Sequence, residues 1–163
     1  MNYYTALLLS FLFFSACNSP APEKTSESPA KNIEAKTSQA VENLPSITIE
    51  IMKKLYEQCD YVDYLFYESN FSMSMNSKPS IQQTLTHVSE GVPKLNPNCK
   101  SIGRVFYEIQ GNTEIEAEIY FSDECQYFVF MKGNKKIYAN NITGDGVAHF
   151  NNIFDQAKNL NKN

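Results

Sequence analysis

Glu108, Glu116 and Glu118 lie near Arg104 in a stretch where polar and apolar residues alternate. Two carboxylates flanking a glycosidic bond are the acid and base of glycoside hydrolysis. On a half-buried strand, however, alternation alone turns every second residue toward water. These glutamates are therefore read as the polar side of a sheet, with a cross-strand ion pair to Arg104. Ser72 and Ser74 belong to no Gly-x-Ser-x-Gly elbow, which argues against a serine hydrolase. Thr143-Gly144-Asp145-Gly146 lacks the alternating oxygen ligands and closing glutamate of a calcium loop, and reads as a turn and helix cap. Cys59 precedes Asp60 and has nothing basic beside it to lower its thiol pKa. His149 has no adjacent carboxylate or cysteine. With His87 as the one other histidine and no C-x-x-C spacing, a zinc site is not expected. No catalytic residue, metal or cofactor is assigned.

The aromatic supply is the suggestive feature. Tyr61, Tyr64, Phe66 and Tyr67, with Phe128 and Phe130, exceed what one sheet face usually needs. A hairpin turn at Gly133-Asn134 pairs Phe128 and Phe130 with Ala139 and Ile137, leaving Tyr127, Val129 and Tyr138 on the opposite face. Either a helix covers that second face, or these three residues form a binding patch for a small apolar or aromatic ligand or an envelope protein.

The cysteines can be ordered by strand parity. Opposed residues of an antiparallel pair share a face and keep a constant index sum. Ile115, Ala117, Ile119 and Phe121 alternate with Glu114, Glu116, Glu118 and Tyr120, and Val105, Tyr107 and Ile109 form the matching apolar set. Pairing Ile109 with Ile115 across a Gly111-Asn112-Thr113 turn gives a sum of 224, which also sets Cys99 opposite Cys125. A Cys99–Cys125 disulfide is expected, with Cys59 free. Parity leaves Cys59 bridged to either of the two as the rival.

The fourth cysteine has a different context. Residues 4–14, Tyr-Thr-Ala-Leu-Leu-Leu-Ser-Phe-Leu-Phe-Phe, are an uncharged apolar run. It is shorter than the roughly 20 residues of a membrane-spanning helix and fits the apolar region of a secretory signal peptide. Phe14-Ser15-Ala16-Cys17 follows and resembles a lipobox, the cleavage and lipidation site of bacterial lipoproteins. The resemblance covers residues 1–17 and departs from the usual pattern in having no Lys or Arg before the run and Phe14 where Leu is commoner. It implies cleavage before Cys17, acylation of that cysteine and a membrane as partner through the lipid. By resemblance to lipoprotein sorting in some bacteria, Asn18 points to the outer membrane, facing periplasm or surface, rather than the inner one. An exported domain meets an oxidising compartment, in keeping with a disulfide.

From Asn18 to about Asn43, Pro, Ser, Ala, Lys and Glu dominate and only Ile33 and Val41 are branched and apolar. Such a stretch buries too little to offset its ordering entropy and is expected to be an extended, mobile tether. Periodic patterns begin at Leu44. A helix capped by Ser46 or Thr48 carries Ile47, Ile51 and Leu55, widened by Met52 and Tyr56, and ends near Cys59-Asp60. Extended segments are expected at 61–68 and 71–75. A Ser80-capped helix with Ile81, Leu85 and Val88 follows, then a loop with Pro93 and Pro97. Strands come next at about 102–109, 114–121, 126–132 and 135–141, and a helix from Asp145 to Leu160 bears Val147, Phe150, Phe154 and Ala157.

The order predicts an α+β fold: an antiparallel β-meander of four to six strands with N-terminal and C-terminal helices packed on it. The 163 residues divide into a signal peptide (1–16), a lipidated cysteine with its tether (17–43) and one domain (44–163). A net charge of -4 provides no footprint for nucleic acid. The leading expectation is a membrane-anchored envelope lipoprotein, non-enzymatic, serving as a binding or structural module. The alternatives are an envelope enzyme whose site gathers distant residues, such as Glu116 or Glu118 with His149, or an inhibitor or assembly factor that adds an edge strand (71–75 or 135–141) to a partner.

Overall fold

The computed structural model describes residues 43–68 and 71–160. The signal peptide, Cys17 and nearly all of the tether lie outside them. Nine elements follow in order: α1 (Ile49–Gln58), β1 (Tyr61–Phe66), β2 (Ser72–Met75), α2 (Lys78–Leu85), β3 (Ser101–Ile109), β4 (Asn112–Ser122), β5 (Cys125–Lys132), β6 (Lys135–Asn141) and α3 (Gly144–Leu160). The strands form one antiparallel sheet in the order β2-β1-β3-β4-β5-β6. The fold is thus α+β, a β3–β6 meander extended on one side by the β1–β2 hairpin.

Local chemistry sets the helix ends. Thr48 is extended and its hydroxyl accepts from the Ile51 N–H, starting α1. For α2 the cap is Ser77, not the expected Ser80. The Ser77 hydroxyl accepts from the Ser80 N–H, and Pro79 occupies the first turn, where its missing N–H costs nothing. Thr143 caps α3 by accepting from Gly146, so the Thr-Gly-Asp-Gly run acts as a turn and cap.

Strand parity places the main core on one face of the sheet. Val62, Tyr64 and Phe66 of β1, Val105 and Tyr107 of β3, Ile115, Ala117 and Ile119 of β4, and Phe128 and Phe130 of β5 pack with Leu55 of α1, Ile81 and Leu85 of α2 and Phe150 of α3. All three helices therefore cover the same side. The opposite face is partly covered by irregular chain: Leu44 and Leu95 pack with Tyr127, Val129, Ala139 and the cysteine pair.

The register departs from expectation at one turn and at three irregularities, each of the latter with an extra residue in one strand. The β3–β4 turn is the two-residue pair Gln110-Gly111, both at positive φ (53° and 74°), as a tight right-twisted hairpin requires. Ile109 therefore faces Asn112 rather than Ile115. An irregularity between Tyr107 and Glu108 then brings Tyr107 opposite Ile115 and Val105 opposite Ala117. The index sum in mid-hairpin is 222 rather than 224, and the same apolar sets still meet. A second shift lies between Ser101 and Gly103. The third, between Phe130 and Met131, leaves Ile137 as the extra residue and sets Tyr138 opposite Phe130. Tyr138 thereby moves to the helix-bearing side, away from Tyr127 and Val129.

The chain entering the domain wraps around β6. Leu44 lies on the helix-free side, the Pro45 carbonyl accepts from the edge N–H of Ala139 at 2.9 Å, and Ile47 joins the core on the other side. The Gly91 carbonyl accepts from the Asn141 N–H at 2.8 Å. Asn140, fully buried, ties the crossing together. Its side-chain oxygen accepts from Ile47 N–H at 2.9 Å, and its amide donates to Ser46 Oγ at 2.6 Å and to the Ser89 carbonyl at 2.8 Å.

Candidate functional site

The sequence-derived candidates are scattered. Cys99 and Cys125 are joined, with Cα atoms 6.1 Å apart. Cys99 precedes β3 and turns back toward Cys125 through a Cys99 N–H to Asn96 carbonyl bond of 3.0 Å. Cys59 is free and buried. Its burial pushes the thiol pKa up, against hydrogen bonds at Tyr61 and Glu108 that lower it, which makes it a poor nucleophile. The expected patch of Tyr127, Val129 and Tyr138 does not form. Tyr127 and Val129 are buried under the loop before β3, and Tyr138 faces the other way. Loop, rather than helix, covers that end because the Cys99–Cys125 bridge pins it there.

Glu116 and Glu118 project from the helix-free face as ion-pair partners of Arg104, at 3.3 and 3.6 Å. Lys136 reaches Glu118 at 3.2 Å, and the Tyr120 hydroxyl donates to the same carboxylate at 2.9 Å. Both carboxylates are thus engaged in cross-strand pairing on one sheet face. Glu108 shows no ion pair in this network among the described residues. His149 belongs to α3 on the opposite side of the sheet, so the Glu116/Glu118/His149 constellation is not assembled.

His149 instead meets His87. Their rings lie 4.7 Å apart, centroid to centroid, tilted by 35°. His87 is buried, and His87 Nδ1 and His149 Nε2 have no hydrogen-bond partner. Burial, reinforced by the His149 charge and only partly offset by Asp145, lowers the His87 pKa to about 4. Burial lowers that of His149 as well. The pair is neutral at neutral pH and packs as two aromatic rings. Among the described residues no group of three or more metal-ligating side chains is found.

The feature with the shape of a binding site is a cleft of about 560 Å³ between the end of the sheet and the C-terminal half of α3. Phe66, Ile102, Phe121 and Phe154 line it. Its aromatic residues are mutually packed, Phe66 and Phe154 edge to face at 5.4 Å and Phe121 and Phe154 at 5.8 Å. The other wall is polar: Glu68 beyond β1, Ser122 and Asp123 at the β4–β5 turn, and Asn151, Asp155 and Lys158 along α3. The helical contribution has a signature in the sequence, because Asn151, Phe154, Asp155 and Lys158 follow i, i+3, i+4, i+7 spacing along one helical stripe. The strand contributions have none, since they converge only when β1, β3 and β4 are placed side by side. A volume of this size, with one aromatic wall and one polar wall, falls in the range of small-molecule sites.

No family model, no curated protein and no solved structure matches this chain.

Proposed function

We propose that the chain is a lipid-anchored protein of the bacterial cell envelope whose folded domain is a non-enzymatic binding module, with its site in the cleft beneath the C-terminal half of α3. The observation that carries the binding reading is the cleft itself, about 560 Å³ with phenylalanines on one side and carboxylate and amide groups on the other. Such a lining suits recognition of a small ligand with an apolar or aromatic body. The address rests on the uncharged run at 4–14 and Phe14-Ser15-Ala16-Cys17. The Cys99–Cys125 bridge supports an oxidising compartment.

Two measurements test the two halves. Intact mass of the chain expressed in a bacterial host should give a species beginning at residue 17 with acyl chains attached, abolished by Cys17→Ala; cleavage elsewhere without acylation withdraws the anchor. Titration with small aromatic probes, read on the methyl resonances of Ile102 in the full chain, should move that signal in wild type and much less in Phe154→Ala. Silence toward every probe sinks the cleft as a site.

A second reading rests on the sheet edges. β6 is capped over its C-terminal half by Pro45 and Gly91, whereas β2 ends the sheet on the other side. An assembly factor working by strand addition would use β2. Binding of an extended peptide that survives Phe154→Ala but is lost on Ser74→Pro favours this reading over the cleft.

A further inference from the structure

The charge at the cleft margin narrows the ligand. Glu68, Asp123 and Asp155 face it from two sides, the first two from the strand ends and the third from α3. Lys158 is the cation among the lining residues, and it lies 3.3 Å from Asp155. That pairing occupies one carboxylate. Glu68 and Asp123 make no ion pair among the described residues. The margin is therefore net negative over a floor of Phe66, Phe121 and Phe154. Aromatic faces attract cations through their quadrupole, and a concave site with one sign of charge and low-dielectric walls raises the local concentration of the opposite sign.

We infer that the cleft selects an amphiphilic ammonium compound, a molecule with an apolar or aromatic body and a protonated or quaternary amine. The body packs on Ile102 and Phe154. The ammonium lies toward Glu68 and Asp123. An anionic analogue of the same body meets two carboxylates and is rejected. This rests on the cleft reading above and adds to it the sign of the ligand's charge.

Phenethylamine, phenethyl alcohol and phenylacetate share one aromatic body and differ in charge at neutral pH. With the full chain in nanodiscs of zwitterionic lipid, and empty nanodiscs as blank, the Ile102 methyl shift gives an affinity for each probe. The ammonium should bind about tenfold tighter than the alcohol, a difference of about 1.4 kcal/mol, and phenylacetate weakest. The Glu68→Gln/Asp123→Asn double variant should erase the tenfold preference of ammonium over alcohol, and added salt should shrink it in wild type. Equal binding of all three probes, or a preference untouched by the double variant, overturns the charge selection and leaves the cleft as a neutral apolar site. No shift with any probe overturns both the selection and the site.

Discussion

Mild acid should unlock α3. His87 sits where the segment after α2 meets the first turns of α3, against the Gly146 backbone and stacked on His149. In the unfolded chain its pKa is near 6.5; in the folded domain it is about 4, because burial and the neighbouring imidazole both oppose the charge. As pH falls below about 6.5 the unfolded chain binds a proton that the folded one refuses, so stability falls with pH, and the loss levels off only when His87 titrates in place. Between about pH 8 and pH 4.5 this linkage for His87 alone comes to about 2.5 kcal/mol. His149, also lowered, adds to it in the same direction. On a domain of this size the sum corresponds to a fall in Tm of roughly 10 °C.

The assay is denaturant unfolding of the full chain at a series of pH values, for wild type and for His87→Phe and His149→Phe, which keep a stacked ring and remove the titration. Carboxylates that lose ion pairs in acid contribute equally to all three proteins, so the histidine contribution is the difference in slope. Amide exchange locates the effect: α3 should lose protection before β3, β4 and β5 do. If both Phe variants show the wild-type loss between about pH 6.5 and 4.5, the histidine pair is not the acid-sensitive element, and the linkage reasoning fails.

Three further outcomes follow from the same structure. Reducing the Cys99–Cys125 bond, which closes a separation of 26 residues, should cost about 3.5 kcal/mol on the chain-entropy account, read as the shift in denaturation midpoint with reductant. Asn140→Leu keeps the branched shape but strands the Ile47 N–H and the Ser89 carbonyl. It should cost about 2–4 kcal/mol and raise proteolysis around residues 44–47. Gly146→Ala would stabilise an exposed helical site by about 1 kcal/mol; here the new methyl would lie 2.6 Å from Ile142 Cγ2 and 2.9 Å from His87 Cβ. The expected result is a net loss of about 1–2 kcal/mol by thermal melting.

How much of this was legible beforehand depends on whether the information is local. Alternation marks β2 and β4, and the contrast of Ile115, Ala117 and Ile119 with Glu114, Glu116 and Glu118 names the buried side of β4 correctly because side chains alternate along a strand. At Gln110-Gly111 the sequence points to a three-residue loop and a sum of 224, since a non-glycine at positive φ is uncommon; the turn has two residues. The joined cysteines are nevertheless those that the sum selected. In mid-hairpin the difference of two leaves every side chain on its own face; beyond the Ser101/Gly103 shift the sum is 221, and a turn before β3 carries Cys99 back to Cys125. The error at Ile137 was of the other kind. One extra residue in β6 reversed the face of Tyr138, and one residue is the period at which a strand's two sides exchange.

That reversal bears on function. In sequence Tyr127, Val129 and Tyr138 stand on one face as an aromatic surplus open to a ligand; the bulge and the disulfide-pinned loop absorb all three into packing. The aromatic surface left half-exposed lies elsewhere, where Phe121 at the end of β4 and Phe154 on α3 meet. The helical stripe Asn151-Phe154-Asp155-Lys158 was visible in sequence as amphipathic, yet a mixed stripe reads equally well as the margin of a packed face. What makes it one wall of a cleft is that Phe154 packs on Phe66 and Phe121 while Asn151, Asp155 and Lys158 flank the opening across from Glu68 and the Asp123 turn. The site thus depends on where the last turns of α3 lie against the strand ends. Shortening α3 by one turn before Lys158 should therefore abolish probe binding at Ile102 while leaving the His87–His149 contact, and the acid sensitivity that depends on it, in place.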